Sequence, residues 1–312
     1  MSINNSTTAY ARKALPTNSY GLLWGFLGVA AFSFTVPLTR FVVLNEGMSA
    51  LFAGTGRAVI AAGLAAVALF ATHQRRPNRR ESISVTVVAL GAVIGFPLLT
   101  SYASVSTPAS HSAVIIAILP ATTAVIAAVR TRVYPPKLFW IATFLGALSA
   151  IGFALIQNEG STDLHAGDLL LLAAVLLCAL SYAEGGIASK TLGSWQTISW
   201  GLIFSMPVML PLTAFAIASS TFQATPIQWV AFGYLSLVSM FLGFFAWYRG
   251  LAIGPMPQVS QIQLIQPILS IFWAAVLLSE EITARTIIGS IIVIAFSLIA
   301  IRVKNQAIEP TQ

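Results

Sequence analysis

Arg57 is the first residue that demands a chemical explanation. It stands about nine residues inside the apolar run 49–71, where a charge is costly unless it snorkels, pairs or faces an aqueous cavity. Either it couples to or gates a solute, or backbone carbonyls hold it in a structural role. Glu184, in Ser181-Tyr182-Ala183-Glu184-Gly185-Gly186, is an acid that falls inside an apolar run. A carboxylate there can carry a proton or hold a substrate ammonium; the alternative is an interfacial residue near Lys190. At 100° per residue, Gln263, Gln266, Ser270 and Trp273 fall within about 80° of one another on one helix face, with Gln258 and Gln261 elsewhere on the helix. Neutral donors and acceptors beside an aromatic ring suit a zwitterionic or uncharged solute. Gln also serves helix–helix hydrogen bonding in bilayers. Pro120 and Pro267 each remove a backbone donor within an apolar run, which leaves a free carbonyl, a hinge or a packing kink. His111 is a lone histidine with no titratable neighbour in sequence, and Trp24, Tyr102, Tyr182, Trp247 and Tyr248 either stack on a solute or belong to interfacial aromatic belts.

These residues sit in a chain of 312 residues that is 57% hydrophobic and 8% charged, with a mean hydropathy of +0.86. A water-facing surface needs far more charge, so the chain reads as a polytopic membrane protein. Its single cysteine, Cys178, excludes an internal disulfide and a thiolate metal site. The sequence contains no G-x-S-x-G, H-E-x-x-H, Walker A or Asp-rich prenyl-diphosphate motif, and its three histidines are scattered, so neither catalysis nor a metal or other cofactor is expected. The polar first nineteen residues and the long run behind them read as a tail and a retained span, not a cleaved signal peptide.

Stretches long enough to cross the roughly 30 Å hydrocarbon layer number ten: 20–42, 49–71, 83–104, 109–130, 138–157, 167–189, 197–218, 227–248, 257–278 and 284–302. Placing both ends in the cytoplasm puts thirteen of the sixteen Lys and Arg on that side, including Arg75, Arg76, Arg79 and Arg80. The outer loop Gln157 to Asp168 carries three acids and no Lys or Arg. The net charge of +7 is therefore a topology signal, and nucleic acid is not needed as a partner.

The halves resemble each other. Pro108 and Pro120, the latter ending Ile118-Leu119-Pro120, match Pro255 and Pro267, the latter ending Ile265-Gln266-Pro267, at a constant offset of 147. Five spans per half is an odd number, so the second half must enter the membrane from the opposite side. The expected fold is an all-α polytopic membrane protein with ten transmembrane helices in two inverted five-helix repeats. A tail, 1–19, precedes the first repeat, 20–157; a loop, 158–166, leads to the second, 167–302, and a tail, 303–312, follows. Gly21/Gly25 and Gly91/Gly95 have the spacing of close helix contacts.

The run Gly243-Phe-Phe-Ala-Trp-Tyr-Arg-Gly-Leu-Ala-Ile-Gly-Pro255, then Gln263-Leu-Ile-Gln-Pro267, Leu278-Ser-Glu280 and Gly289, resembles the second repeat of the drug/metabolite transporter superfamily in its EamA branch of bacterial exporters. Trp24-Gly25, Arg57 and Ile118-Leu119-Pro120 are similar to the first repeat. One departure is visible: Glu280 follows Pro267 by thirteen residues, whereas Val133, between two arginines, follows Pro120 at that distance. The resemblance implies a secondary exporter in the cytoplasmic membrane, with spans 3, 4, 8 and 9 around the passage and spans 1, 2, 6 and 7 gating it by alternating access. The neutral, aromatic lining favours amino acids or related metabolites, with drug-like cations or sugars as the alternative cargo. Phosphorylated cargo would call for several cavity bases. The implied partners are a small-molecule solute and the bilayer; nothing in the sequence marks a homodimer interface.

Overall fold

Long stretches of Leu, Ile, Val, Ala and Phe become helices here because, away from water, a helix satisfies its backbone donors and acceptors internally. The computed structural model describes residues 12–14, 19–44, 47–132, 134–157, 166–220, 223–279, 284–303 and 306–308. The first half contains α1 (Ser19–Ser33), α2 (Thr35–Val43), α3 (Ala50–Ala71) and α4 (Arg79–Val88), which runs through a π-helical stretch, Ala89–Gly95, into α5 (Phe96–Ser106). Next come α6 (Ala109–Ile116), α7 (Leu119–Thr131) and α8 (Lys137–Gln157). The second half contains α9 (Ala166–Ala188), α10 (Ser194–Ser219) and α11 (Pro226–Tyr234), which runs through a π-helical stretch, Leu235–Leu242, into α12 (Gly243–Ile253). It closes with α13 (Met256–Gln261), a 3₁₀ turn, Ile262–Ile265, then α14 (Gln266–Leu278) and α15 (Ala284–Arg302). Outside this helical body the tails pair antiparallel over three residues, Arg12–Ala14 with Gln306–Ile308.

Among the described residues, seven stretches are long and apolar enough to cross a membrane: Tyr20–Val43, Ala50–Ala71, Arg79–Ser106, Ala166–Ala188, Ser194–Ser219, Pro226–Ile253 and Met256–Leu278. Helices α6 and α7, α8 and α15 occupy the places of the expected fourth, fifth and tenth spans. Phe70, Val67, Val230 and Phe144 point outward while Thr39, Thr55, Arg57 and Ser101 are fully enclosed. That distribution suits a lipid surround, where apolar side chains lose nothing by exposure and polar ones must find partners inside.

The first, fourth and ninth expected spans are interrupted, and proline explains each interruption. Pro120 cannot donate to the Ile116 carbonyl; the fourth span breaks there, and the Ile118 N–H bonds Ile115 at 3.2 Å in a tighter turn. Pro267 likewise cannot serve the Gln263 carbonyl, and the ninth span winds as a 3₁₀ turn just before it. Pro37 leaves the Ser33 carbonyl free, so the first span breaks at Phe34. The third and eighth spans start earlier than expected because capping boxes nucleate them: Asn78 with Glu81, and Thr225 with Gln228.

The offset of 147 recurs throughout. Shifted by it, the bounds of α5 become those of α12 and the bounds of α7 those of α14. The left-handed residues that end these latter helices, Arg132 and Ser279, are also equivalent, both with φ 55°. So are the two capping boxes, and the π-helical stretches agree to within one residue. Helix α3 packs on its counterpart α10, and α8 on its counterpart α15. Helix α1 lies against α12 through glycine: a Cβ on Gly21 would come within 2.6 Å of the Gly254 Cα, so no larger residue fits. This fulfils the close contact expected at Gly21 and Gly25.

Candidate functional site

Arg57, on α3, is completely buried. Its Nη1 donates to the Thr39 hydroxyl on α2 at 3.2 Å, and its Nη2 to the Pro97 carbonyl on α5 at 2.9 Å, with the Thr100 hydroxyl at 3.5 Å. The Nε–H has no partner. All these acceptors are neutral, and the ion pairs among the described residues, Arg75–Glu81 and Arg130–Glu184, do not involve Arg57. A guanidinium offers five N–H donors, so the group is positioned without being satisfied.

Beside it lies a small cavity inside the bundle. Arg57 shares its walls with the aromatic rings of Phe32, Tyr182 and Phe244, the hydroxyls of Thr35 and Ser239, and Pro97. The rings form a connected set: Phe32 to Phe244 at 4.9 Å, Tyr182 to Phe244 at 6.0 Å and Phe32 to Tyr182 at 6.4 Å between centroids. Three pairs of wall residues occupy equivalent positions in the two halves at the 147 offset: Thr35 and Tyr182, Ala92 and Ser239, Pro97 and Phe244. Ala92 and Ser239 belong to the two π-helical stretches, and such irregular turns recur at functional sites. Phe204 stands at the position equivalent to Arg57. The cavity is therefore built from matching elements of both halves but carries its charge on one side alone.

The structure gathers some sequence-predicted residues here and disperses others. Arg57 and Tyr182 line the cavity, and Trp247 packs behind Tyr182 at 5.3 Å, fully buried with its indole N–H unpartnered. Gln263 is also buried; the Tyr182 hydroxyl lies near it, yet neither amide atom has a hydrogen bond of good geometry. The polar stripe on the ninth span is divided by its partners, since Gln263 and Gln266 are buried away from the cavity wall and Ser270 and Trp273 are bonded to the first span. Gln266 is buried at the start of α14, outside the cavity wall. Further along, the Ser270 hydroxyl donates to the freed Ser33 carbonyl at 2.7 Å and the Trp273 indole donates to the Ser33 hydroxyl at 3.0 Å, while the Trp273 ring stacks on Phe34 at 4.1 Å. These two residues bind the broken first span, a structural task that the stripe reading gave to the solute. Pro120 and Pro267 act through the breaks they cause, and the Pro120 carbonyl accepts from Gln261 at 3.4 Å. Trp24 and Tyr102 are exposed on α1 and α5 and do not line the cavity, since their helices turn other faces inward. His111 lies on α6, but its side chain falls outside the described residues, as do Glu280 and Val133.

Glu184 sits near one end of the bundle, buried, and paired with the Arg130 guanidinium from α7. Ser84 on α4 donates to its other oxygen at 2.8 Å. Its basic partner is thus Arg130 and not the nearby Lys190. At the same end, the capping carboxylate of Glu81 accepts two 2.7 Å bonds from Arg75 and one of 2.8 Å from Thr191. The opposite end has its own clasps. Arg40 donates to the Ser104 and Thr107 carbonyls at 2.8 and 2.9 Å, and Gln228 to the Phe41 and Leu44 carbonyls at 3.0 and 3.3 Å. Glu81 and Gln228 are equivalent positions, as are Thr191 and Leu44, so one clasp is repeated at both ends with different chemistry.

Sequence reasoning missed Phe32, Thr35, Pro97, Ser239 and Phe244 because each looks ordinary within an apolar run. Applying the 147 offset to Tyr182 would have found Thr35. Comparison with known proteins adds a family. The profile of the EamA-like transporter family matches twice, over residues 19–155 and 165–302. A protein of Bacillus subtilis (strain 168) described as the uncharacterized transporter YdeK is 43% identical over 270 residues, covering 84% of this chain and 90% of its own. A crystal structure of a protein at 15% identity superposes with a TM-score of 0.67 over 90% of this chain and 96% of that one, a likeness of fold alone.

Proposed function

The chain belongs to the EamA-like transporter family, and from that premise we propose that it is a secondary transporter exporting small metabolites, amino acids or related compounds among them, by alternating access. The observation that carries this reading is the cavity between equivalent elements of the two halves, beside helices broken by proline. Solute sites of transporters built from inverted repeats sit near the midplane at the repeat interface, and broken helices line them. In this reading the two five-helix halves enter the membrane from opposite sides and both tails are cytoplasmic. The Arg130–Glu184 and Arg75–Glu81–Thr191 contacts then close the cytoplasmic end, and the Arg40 and Gln228 contacts close the outer one. Each set joins a span at the passage to a span that gates it, so transport requires the two sets to open in turn. The sequence contains no Walker A motif, so the driving force is the solute gradient or a coupled ion.

Uptake of a radiolabelled amino-acid panel into proteoliposomes of the purified protein, with and without an imposed pH gradient, tests this. Saturable uptake of one or a few members is expected, and the response to the gradient decides whether protons are coupled. No saturable uptake of any member by folded protein would contradict the cargo class.

A further inference from the structure

We infer that Arg57 docks the carboxylate of the transported solute, and that this solute is an apolar monocarboxylate whose amino group, where it has one, is dispensable. The inference rests on the transporter reading above and specifies what its cavity recognises.

Charge balance comes first. Arg57 is fully enclosed, lines the cavity, touches only neutral acceptors and keeps its Nε–H unpartnered. A buried cation without a counter-ion is costly, and a bound anion relieves that cost. Among the described residues, the buried acids that might have served are engaged elsewhere: Glu184 by Arg130 and Ser84, Glu81 by Arg75, Asn78 and Thr191. The remaining wall residues are uncharged. The cavity thus presents one positive charge and no negative one. A solute ammonium would meet only hydroxyls and aromatic faces there.

Shape and valence narrow the anion. A planar guanidinium fork fits a carboxylate, and Thr39 and Pro97 already fix the orientation of the fork. A phosphate dianion would leave a charge unmatched by a single arginine. The same cavity is lined by Phe32, Tyr182 and Phe244, with Trp247 packed on Tyr182. These surfaces suit an aromatic or branched apolar body. Phe204 at the equivalent position in the other half shows that nothing in the fold demands an arginine there.

The test uses four probes with one phenyl body on the full-length protein in detergent: 3-phenylpropionate, L-phenylalanine, L-phenylalaninamide and phenethylamine. Binding is read from the concentration dependence of Tm. The two carboxylates are expected to bind at least about tenfold more tightly than the amide and the amine, the size of one charge-assisted contact. In Arg57→Gln that preference disappears, and in Arg57→Lys, which keeps the charge but not the fork, part of it remains. Loss of the preference is a readout that general destabilisation would not produce, and the comparison of probes on the unmodified protein requires no variant to fold. Amine or amide binding as tight as the acids would overturn the inference, as would binding of none of the four. Saturable uptake of a solute without a carboxylate by the same preparation would overturn it while leaving the transporter reading intact; absence of any saturable uptake would instead count against that reading.

Discussion

Arg57 and Glu184 are both buried in this bundle, and they are treated in opposite ways. Glu184 near one end has a guanidinium on one oxygen and a hydroxyl on the other. Arg57 has two neutral acceptors, a third at the limit of hydrogen-bond length, and an unpartnered N–H beside a cavity. A closed ion pair holds helices together; a positioned but uncompensated cation is available to something that arrives and leaves. The location of a charge within an apolar run does not separate these roles, but its partners do.

The contrast is broken most severely at Arg57. Replacing it with Met should reduce uptake by at least about a hundredfold, since a charge-assisted contact to cargo is lost together with the bonds to α2 and α5. Folded protein should still be recovered from the membrane, because removing an uncompensated buried charge does not itself destabilise the bundle. Near-normal uptake would show that Arg57 is a packing residue. At the other site the effect should fall on stability and be asymmetric. Arg130→Gln leaves the buried Glu184 without its cation, at about 2 kcal/mol once the half-exposed position of Arg130 is allowed for. Glu184→Gln should cost less than about 1 kcal/mol, because a half-exposed guanidinium can turn to water. Thermal unfolding in detergent measures both, and equal losses would contradict the assignment. Glu184→Gln should also leave any response of uptake to a pH gradient intact; loss of that response would make Glu184 a proton carrier.

Smaller effects refine the picture. Ser270→Ala removes the donor to the carbonyl that Pro37 frees, at about 1 kcal/mol of stability. A neutral outcome would mean that the break in the first span needs no support. Gln228→Ala removes half of a capping box together with the clasp to Phe41 and Leu44, at about 1 kcal/mol. An unchanged Tm would show the outer clasp to be dispensable.

Much of the frame was legible in residue types. Apolar runs gave the membrane class, and the two proline pairs gave an offset that the helix bounds reproduce almost residue for residue. Arg57, Tyr182, Trp247 and Gln263 were visible because each is polar or aromatic where apolar residues dominate. The reading was less accurate where a helix break frees a carbonyl: it placed Gln263 and Trp273 on one working face, whereas Trp273 and Ser270 are taken up by Ser33 at the break in the first span. It was also silent on Thr35, Ser239 and Phe244, whose role comes from facing one another across the halves, a long-range property that composition within a span does not encode. The Arg130–Glu184 pair spans 54 residues and was equally out of reach of local pattern.

The central claim, that the cavity is a passage open to each side in turn, is tested most directly by thiol accessibility. Cys178 is the single cysteine and is buried, so Cys178→Ala with Ser239→Cys leaves one thiol, at the cavity wall. In oriented proteoliposomes a membrane-impermeant maleimide should label it from either side, and a transported solute should protect it. Labelling from one side only, whatever solute gradient is imposed, or no labelling of folded protein from either side, would contradict the account.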